Sequence, residues 1–133
     1  MASLMIASSI LQLLPLDPQS RAIPSGEPVG IFSDGWVQAR SAFKFLALDD
    51  ITSLSLEIWS PLDAEPLALT VALGGEPAVT LTAPAGELAV LGYALHAAPS
   101  TQFTVELLAD REQQLSATDS RHASYILRCI GLY

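Results

Sequence analysis

The sequence predicts an all-β fold: a single-domain β-sandwich of about eight antiparallel strands. Two observations support this prediction. Apolar and polar residues alternate in residues 53–60 and in several later runs, which is the pattern of strands that bury one face. Glycine and proline turns separate these runs at intervals of about ten residues. The chain has 133 residues, and 50% of them are hydrophobic, which is enough for one core.

The first strands of the predicted sandwich precede residue 50. A short strand is predicted over residues 28–32, and a long one over residues 36–48, where Phe43 and Phe45 flank the polar Lys44. The later strands are predicted over residues 53–60, 67–73, 78–83, 87–95 and 102–108, with a closing strand from Ser124 or Tyr125 to Leu132. Eight strands of this kind favour a jelly roll.

The connections between the strands carry turn signals. Gly74 and Gly75 separate two alternating runs and predict a hairpin, because glycine tolerates the positive φ of tight turns. Residues 110–116 are polar and predict a loop or a short helical turn. The sandwich is therefore assigned to residues 25–133.

Residues 1–24 form a separate N-terminal segment in this prediction. Its apolar run over residues 4–14 is too short to span a membrane as a helix, and no Lys or Arg precedes it as in a signal peptide. We expect the segment to be a strand or short helix that is packed on the sandwich or exchanged from it. Cys129 is the only cysteine, so no internal disulfide can form, and a cytoplasmic location is favoured over secretion.

Charge excludes several function classes. The net charge is −8, and residues 45–110 contain nine acids and no base. Such a surface repels phosphate groups, so neither nucleic-acid binding nor membrane attachment is expected. Asp49, Asp50, Asp63 and Glu65 could supply oxygen ligands for calcium, but they match no EF-hand loop and are interpreted as solvated loop acids. No metal and no cofactor are predicted.

Two tryptophans are candidate sugar-binding residues. Asp34-Gly35-Trp36 predicts a turn that presents Trp36 at the start of a strand, where its ring could stack on a sugar and Asp34 could accept hydroxyl hydrogen bonds. The alternative is that Asp34 caps turn amides and Trp36 covers one end of the core. Trp59 is placed on the face opposite Ile58, where it could form a second platform, a core contact or a self-association contact.

A charged sequence, Asp119-Ser120-Arg121-His122, directly precedes the last strand. Asp119 and Arg121 lie on the same side of an extended backbone, so a bidentate ion pair could pin this loop to a neighbouring strand. Asp34 is an equally suitable partner for Arg121 if the two strand ends meet. The alternative is that Arg121, with His122 beside it, faces a ligand.

No catalytic motif is present, and the chain is predicted not to be an enzyme. It contains no Gly-x-Ser-x-Gly elbow, no phosphate-binding loop and no dinucleotide fingerprint.

Three motifs together carry a resemblance to a known family. They are Asp34-Gly35-Trp36, the hairpin sequence of residues 71–77, and Asp119-Ser120-Arg121 followed by a strand with Ile130. Over residues 28–133 the chain resembles the accessory β-sandwich domains found beside bacterial glycosyltransferases, which are similar to galactose-binding-like carbohydrate-binding modules. Gly74 stands where those hairpins carry Asn, and Ala123-Ser124 stands where Leu-Gly is usual.

The resemblance implies a non-catalytic role, either binding carbohydrate or assisting a glycosyltransferase, with a glycan or a glycan-handling enzyme as partner. It carries over Asp34, Trp36, Asp119 and Arg121 as hallmark positions. With the residues argued above, the candidate ligand-binding set is Asp34, Trp36, Trp59, Asp119, Arg121 and His122. The alternative function is a structural or assembly protein that forms homo-oligomers through an apolar sheet surface or its N-terminal segment.

Overall fold

The computed structural model describes residues 14–61, 65–74, 76 and 78–133. Among them, strands account for all regular secondary structure. In chain order the strands are β1 Ala22–Pro24, β2 Val29–Ile31, β3 Trp36–Ala47, β4 Ile51–Trp59, β5 Leu67–Leu73, β6 Val79–Ala83, β7 Leu88–Ala97, β8 Gln102–Ala109, β9 Gln113–Gln114, β10 His122–Ala123 and β11 Tyr125–Leu132. The all-β fold class predicted from alternation is confirmed.

Each predicted strand is present, with its ends moved by at most two residues. The structure adds three short strands: β1, which lies within the predicted N-terminal segment, and β9 and β10, which pair with each other. β9 lies inside the polar stretch that was predicted to be a loop or helical turn. Two- and three-residue strands carry too few positions for an alternating pattern, so only their pairing partners define them.

The strands follow the order β6-β5-β8-β3-β11-β4-β7, and the path folds into a two-layer sandwich. The first layer contains β6, β5 and β8, and the second layer contains β11, β4 and β7. Strand β3 belongs to both layers. Its residues 40–46 pair with β8, whereas Trp36 and Val37 pair with Ile126 and Tyr125 of β11. β1 and β2 also pair with β3, so that Ala42 lies between β2 and β8.

The core lies between the two layers and consists of the alternate residues that point inward. Phe43 and Phe45 of β3, Leu56 of β4 and Ile130 of β11 are fully buried in one continuous cluster. Burying each such side chain contributes about 1.5–3 kcal/mol. Phe45 also contacts Phe103 of β8, with ring centroids 5.7 Å apart.

The described part of the N-terminal segment packs on the sandwich of its own chain. Leu14 is buried in the core, and Leu16 forms a parallel bridge with Ile130. Arg21 then donates its backbone N–H to the carbonyl of Leu132, before β1 pairs with β3. Residues 14–21 therefore extend the layer beside β11, while residues 1–13 lie outside the described residues.

The predicted hairpin joins β5 and β6, which pair antiparallel from Leu67 and Ala83 to Val71 and Val79. Gly75 and Pro77 of its loop lie outside the described residues, as does Asp63. None of the described residues forms a helix with the length and apolar character needed to cross a bilayer.

Candidate functional site

Three charged side chains from distant parts of the sequence meet at one end of the sandwich. Arg121 donates through Nη1 and Nη2 to the two carboxylate oxygens of Asp34, at 3.1 and 2.8 Å. It also donates through Nε and Nη2 to Asp119, at 2.8–3.2 Å. Both carboxylates proposed as partners of Arg121 therefore bind it at the same time. We call Asp34, Asp119 and Arg121 the Arg121 ion network.

Two turns position the carboxylates of this network. Asp34 lies in a turn in which the Gly35 N–H donates to the Phe32 carbonyl and the Phe32 N–H donates to the Trp36 carbonyl. Gly35 adopts a φ of 95°, a conformation that glycine reaches without steric cost. On the other side, the Asp119 N–H donates to Ser116 Oγ at 2.9 Å. The turn at residues 32–36 connects β2 to β3, so the network ties this connection to the segment that leads into β10.

Electrostatics favour the charged form of all three groups. Hydrogen bonds from the Arg121 guanidinium lower the pKa of both carboxyls, Asp34 and Asp119. The same contacts, led by those to Asp119, raise the pKa of Arg121. The Arg121 guanidinium also lies over the ring of Phe32, 4.8 Å from its centroid, in cation–π contact. Arg121 is thus held by partners within its own chain.

Acid should weaken the Arg121 ion network. Because Asp34 and Asp119 have pKa values below 3.8, the folded state binds fewer protons than the unfolded state. The stabilisation is full above about pH 4 and is lost as the pH falls through the folded pKa values. We therefore expect an Asp34→Asn/Asp119→Asn variant to lose less stability than the wild type between about pH 4 and pH 2.

Thermal unfolding followed by circular dichroism across this pH range measures the difference. The pKa of Asp17 is also lowered, chiefly by its hydrogen bond from Tyr133, but this contribution is common to both proteins and cancels. Parallel pH profiles for the wild type and the variant would contradict the assignment.

The two tryptophans lie side by side on the outer face of the second layer. Ile126 of β11 pairs with Trp36 of β3 on one side and with Trp59 of β4 on the other. Residues that pair directly across strands share a face, so all three side chains point outward. The indole rings are in contact, with centroids 6.1 Å apart and planes at 74°. Each ring is half-buried, so part of its surface faces solvent.

A shallow concavity of about 270 Å³ adjoins the tryptophans. Its lining includes Ile126, which is the residue that pairs with both tryptophans. Asp34, Gly35 and Arg128 are among its other lining residues. The side chain of Asp34 is 48% exposed. Because a carboxylate has about four acceptor positions, Asp34 can bind Arg121 and still accept hydrogen bonds from a ligand. This region thus combines the two indole rings, the ionised carboxylate of Asp34 and the exposed guanidinium of Arg128.

The six candidate residues divide into two groups and one outlier. Asp34, Asp119 and Arg121 form the ion network, and Trp36 and Trp59 form a ring pair. The turn at residues 32–36 links the two groups, because it carries Asp34 and ends at Trp36. His122 is exposed on β10.

The sequence analysis missed Phe32, Ile126 and Arg128. The alternation within residues 125–132 could have placed Ile126 on the outer face, opposite Tyr125. The contact of Phe32 with Arg121 depends on tertiary structure and has no sequence signal.

No family model matches this sequence, and no curated protein matches it. Among solved structures, the chain is similar to a family 35 carbohydrate-binding module from an environmental isolate, with a TM-score of 0.52, 12% identity, and coverage of 88% of this chain and 80% of that one. It is also similar to a family GH115 4-O-methyl-α-glucuronidase with specificity for decorated arabinogalactans, with a TM-score of 0.54 and 15% identity. That match covers 88% of this chain and 18% of the enzyme. The chain therefore has the same jelly-roll β-sandwich fold as these solved structures.

Proposed function

We propose that this protein is a non-catalytic carbohydrate-binding module whose binding surface contains Trp36 and Trp59. The observation that carries the proposal is the contact between these two rings on the outer face of the sandwich, beside the 270 Å³ concavity that Asp34 lines. The C–H groups of a sugar ring can pack on an indole face, while its hydroxyls donate to a carboxylate. The similarity in fold to carbohydrate-binding modules supports the same assignment.

The angle between the rings indicates the form of sugar that fits. With their planes at 74°, Trp36 and Trp59 present faces in nearly perpendicular directions. A flat glycan chain lying on one ring would meet the edge of the other, so the pair cannot stack on two successive sugars of a flat chain. The angle between the Trp36 and Trp59 rings suits a single sugar unit, such as a terminal residue or a side branch. Asp34 and Arg128 line the concavity, and in this proposal they bind the hydroxyls of that sugar.

The Arg121 ion network has a positioning role in this proposal. Its guanidinium is bound to Asp34 and Asp119, so its principal task is to fix the turn that presents Asp34 and Trp36. His122 is exposed next to this network and is available to a ligand that extends in that direction.

Replacing Trp36 with alanine is expected to weaken sugar binding about tenfold or more, because loss of an aromatic contact worth roughly 1.5 kcal/mol corresponds to that factor. A glycan array with the wild-type protein identifies a ligand, and isothermal titration then compares the wild type with Trp36→Ala and Trp59→Ala. Leu108→Ala is the matched control, because Leu108 is 44% exposed on β8 of the other layer.

Each variant must keep its thermal unfolding midpoint, so that loss of binding is separated from loss of fold. Absence of binding to any sugar on the array would contradict the proposal. Unchanged affinity in both tryptophan variants would contradict the assigned surface.

The finer form of the proposal is that the module assists a glycosyltransferase in the cytoplasm. It rests on the motif resemblance of residues 28–133 alone. Retention of a glycosyltransferase on the immobilised protein, and loss of that enzyme's glycan product when this chain is deleted, would support it. Sugar binding without any such enzyme partner would leave a free-standing binding module and remove the accessory role.

A further inference from the structure

Strand β7 is the last strand of its layer, and no strand among the described residues pairs with its outer edge. In the described part of the chain β4 is its only strand partner. The pairing of residues 88–94 with residues 53–59 is regular, and the register shifts only beyond Ala94. Seven residues of strand extend for about 23 Å. In an antiparallel edge strand, alternate backbone N–H and C=O groups point away from the neighbouring strand, so a further strand can pair there.

This edge lacks the devices that normally prevent strand pairing. Residues 88–94 contain no charged residue and no proline, and the strand has no bulge in this stretch. Leu88 and Val90 point outward and are 56% and 68% exposed. A long, flat, apolar edge of this kind is a template for pairing with another chain. The open edge of the other layer, β6, has only five residues and alternates with threonine.

The outward side chains of β7 complement a second copy of the same strand. If two copies pair antiparallel about a two-fold axis at Leu91, Val90 of one copy lies opposite Gly92 of the second copy. In the same register Leu88 lies opposite Ala94. Each large outward side chain thus meets a small one. The space above Gly92 is open, since nothing lies within 4 Å of a Cβ built there.

Charge also permits this arrangement. The chain carries a net charge of −8, so most contacts between two copies bring acids together. In the two-fold register Glu87 lies opposite Leu95 of the second copy, and the two Glu87 carboxylates are at opposite ends of the paired strands. Glu57 lies on β4, across from Val90, and is therefore one strand away from the new contact. An uncharged strand is therefore the place where two such molecules can approach without repulsion.

We propose that the protein forms a two-fold dimer in which the β7 strands of two copies pair antiparallel. The pairing joins the second layers of both molecules into one continuous sheet. The inference does not depend on sugar binding, and it is tested without any ligand.

Sedimentation equilibrium of the full chain over a wide concentration range tests the dimer. The wild-type mass is expected to rise toward twice 14.1 kDa. Val90→Lys should weaken dimerisation about tenfold or more, because a lysine on an edge strand blocks further pairing. Glu57 lies directly across from Val90 on β4, so the new lysine has a partner within the monomer and the fold is retained.

Val79→Lys is the matched control, since Val79 is 41% exposed on β6, the edge strand of the other layer. It should leave the wild-type mass unchanged. Hydrogen exchange gives a second measurement: amides of residues 88–94 should become more protected as the wild-type concentration rises, but not in Val90→Lys. A wild-type monomer at all concentrations, a dimer that persists in Val90→Lys, or a dimer broken equally by Val79→Lys would each overturn the proposal.

Discussion

Replacing Phe45 with alanine is expected to lower the free energy of unfolding by about 3–5 kcal/mol, which is the usual cost of removing a buried phenylalanine. Phe45 is fully buried in the middle of the core. It lies directly opposite Phe103 in the β3–β8 pairing, and the two rings are in contact. The truncation therefore leaves a cavity and also removes an aromatic contact. For a domain of this size the thermal midpoint should fall by roughly 10 °C or more.

Chemical denaturation of the wild type and of Phe45→Ala measures this effect. Leu108→Ala is again a useful control, because it removes an exposed apolar side chain from the outer face of the same strand pair. Its free energy of unfolding should change by less than about 0.5 kcal/mol. A loss below about 1 kcal/mol in Phe45→Ala would mean that the two layers are not packed around this residue as described.

Replacing Gly30 with alanine is expected to cost about 2 kcal/mol or more, for steric reasons. Gly30 lies in β2 with a φ of 81°, where an L side chain is strained. A Cβ at this position would also overlap the carbonyl oxygen of Arg40 and lie 3.0 Å from the Cα of Ser41. Both atoms belong to the backbone of β3, so β2 would have to move away from its partner.

The effect of Gly30→Ala should reach the proposed sugar-binding surface. Strand β2 runs directly into the turn of residues 32–36, which carries Phe32, Asp34 and Trp36. We therefore expect weaker glycan binding together with a lower thermal midpoint. Gly74→Ala is the matched control, because a Cβ at Gly74 meets nothing within 4 Å and its φ is not positive. Equal stability of the two alanine variants would contradict the close packing of β2 on β3.

The fold was largely predictable because each long strand buries one face. In residues 54–59 of β4 and throughout β5, buried and half-buried residues alternate regularly, so the two-residue period of the sequence matches the burial. The order of the strands within the sheets was not predictable, since many orders satisfy the same alternation. Leu88 and Val90 show why this matters: they belong to a correctly predicted strand, yet only the strand order reveals that they lie on an open edge.

The candidate site was predictable in part. Charged residues are scarce in this sequence, and for that reason Arg121 was singled out. Asp119 is two residues away from it, and this spacing predicted their ion pair. The alternation of β4 placed Trp59 outside the core. The meeting of Trp59 with Trp36 depends on β11 lying between their strands, where Ile126 pairs with both residues. That arrangement results from long-range topology, which local sequence patterns do not encode.

The sharing of β3 between the two layers has a consequence for how the molecule comes apart. A strand that pairs with β8 over residues 40–46 and with β11 at Trp36 and Val37 cannot leave one layer without disturbing the other. Neither half of the sandwich can therefore persist as a folded fragment. A protease that cuts within β3 would leave no stable half-domain. Loss of this one strand dismantles the core and the proposed sugar-binding surface in the same event.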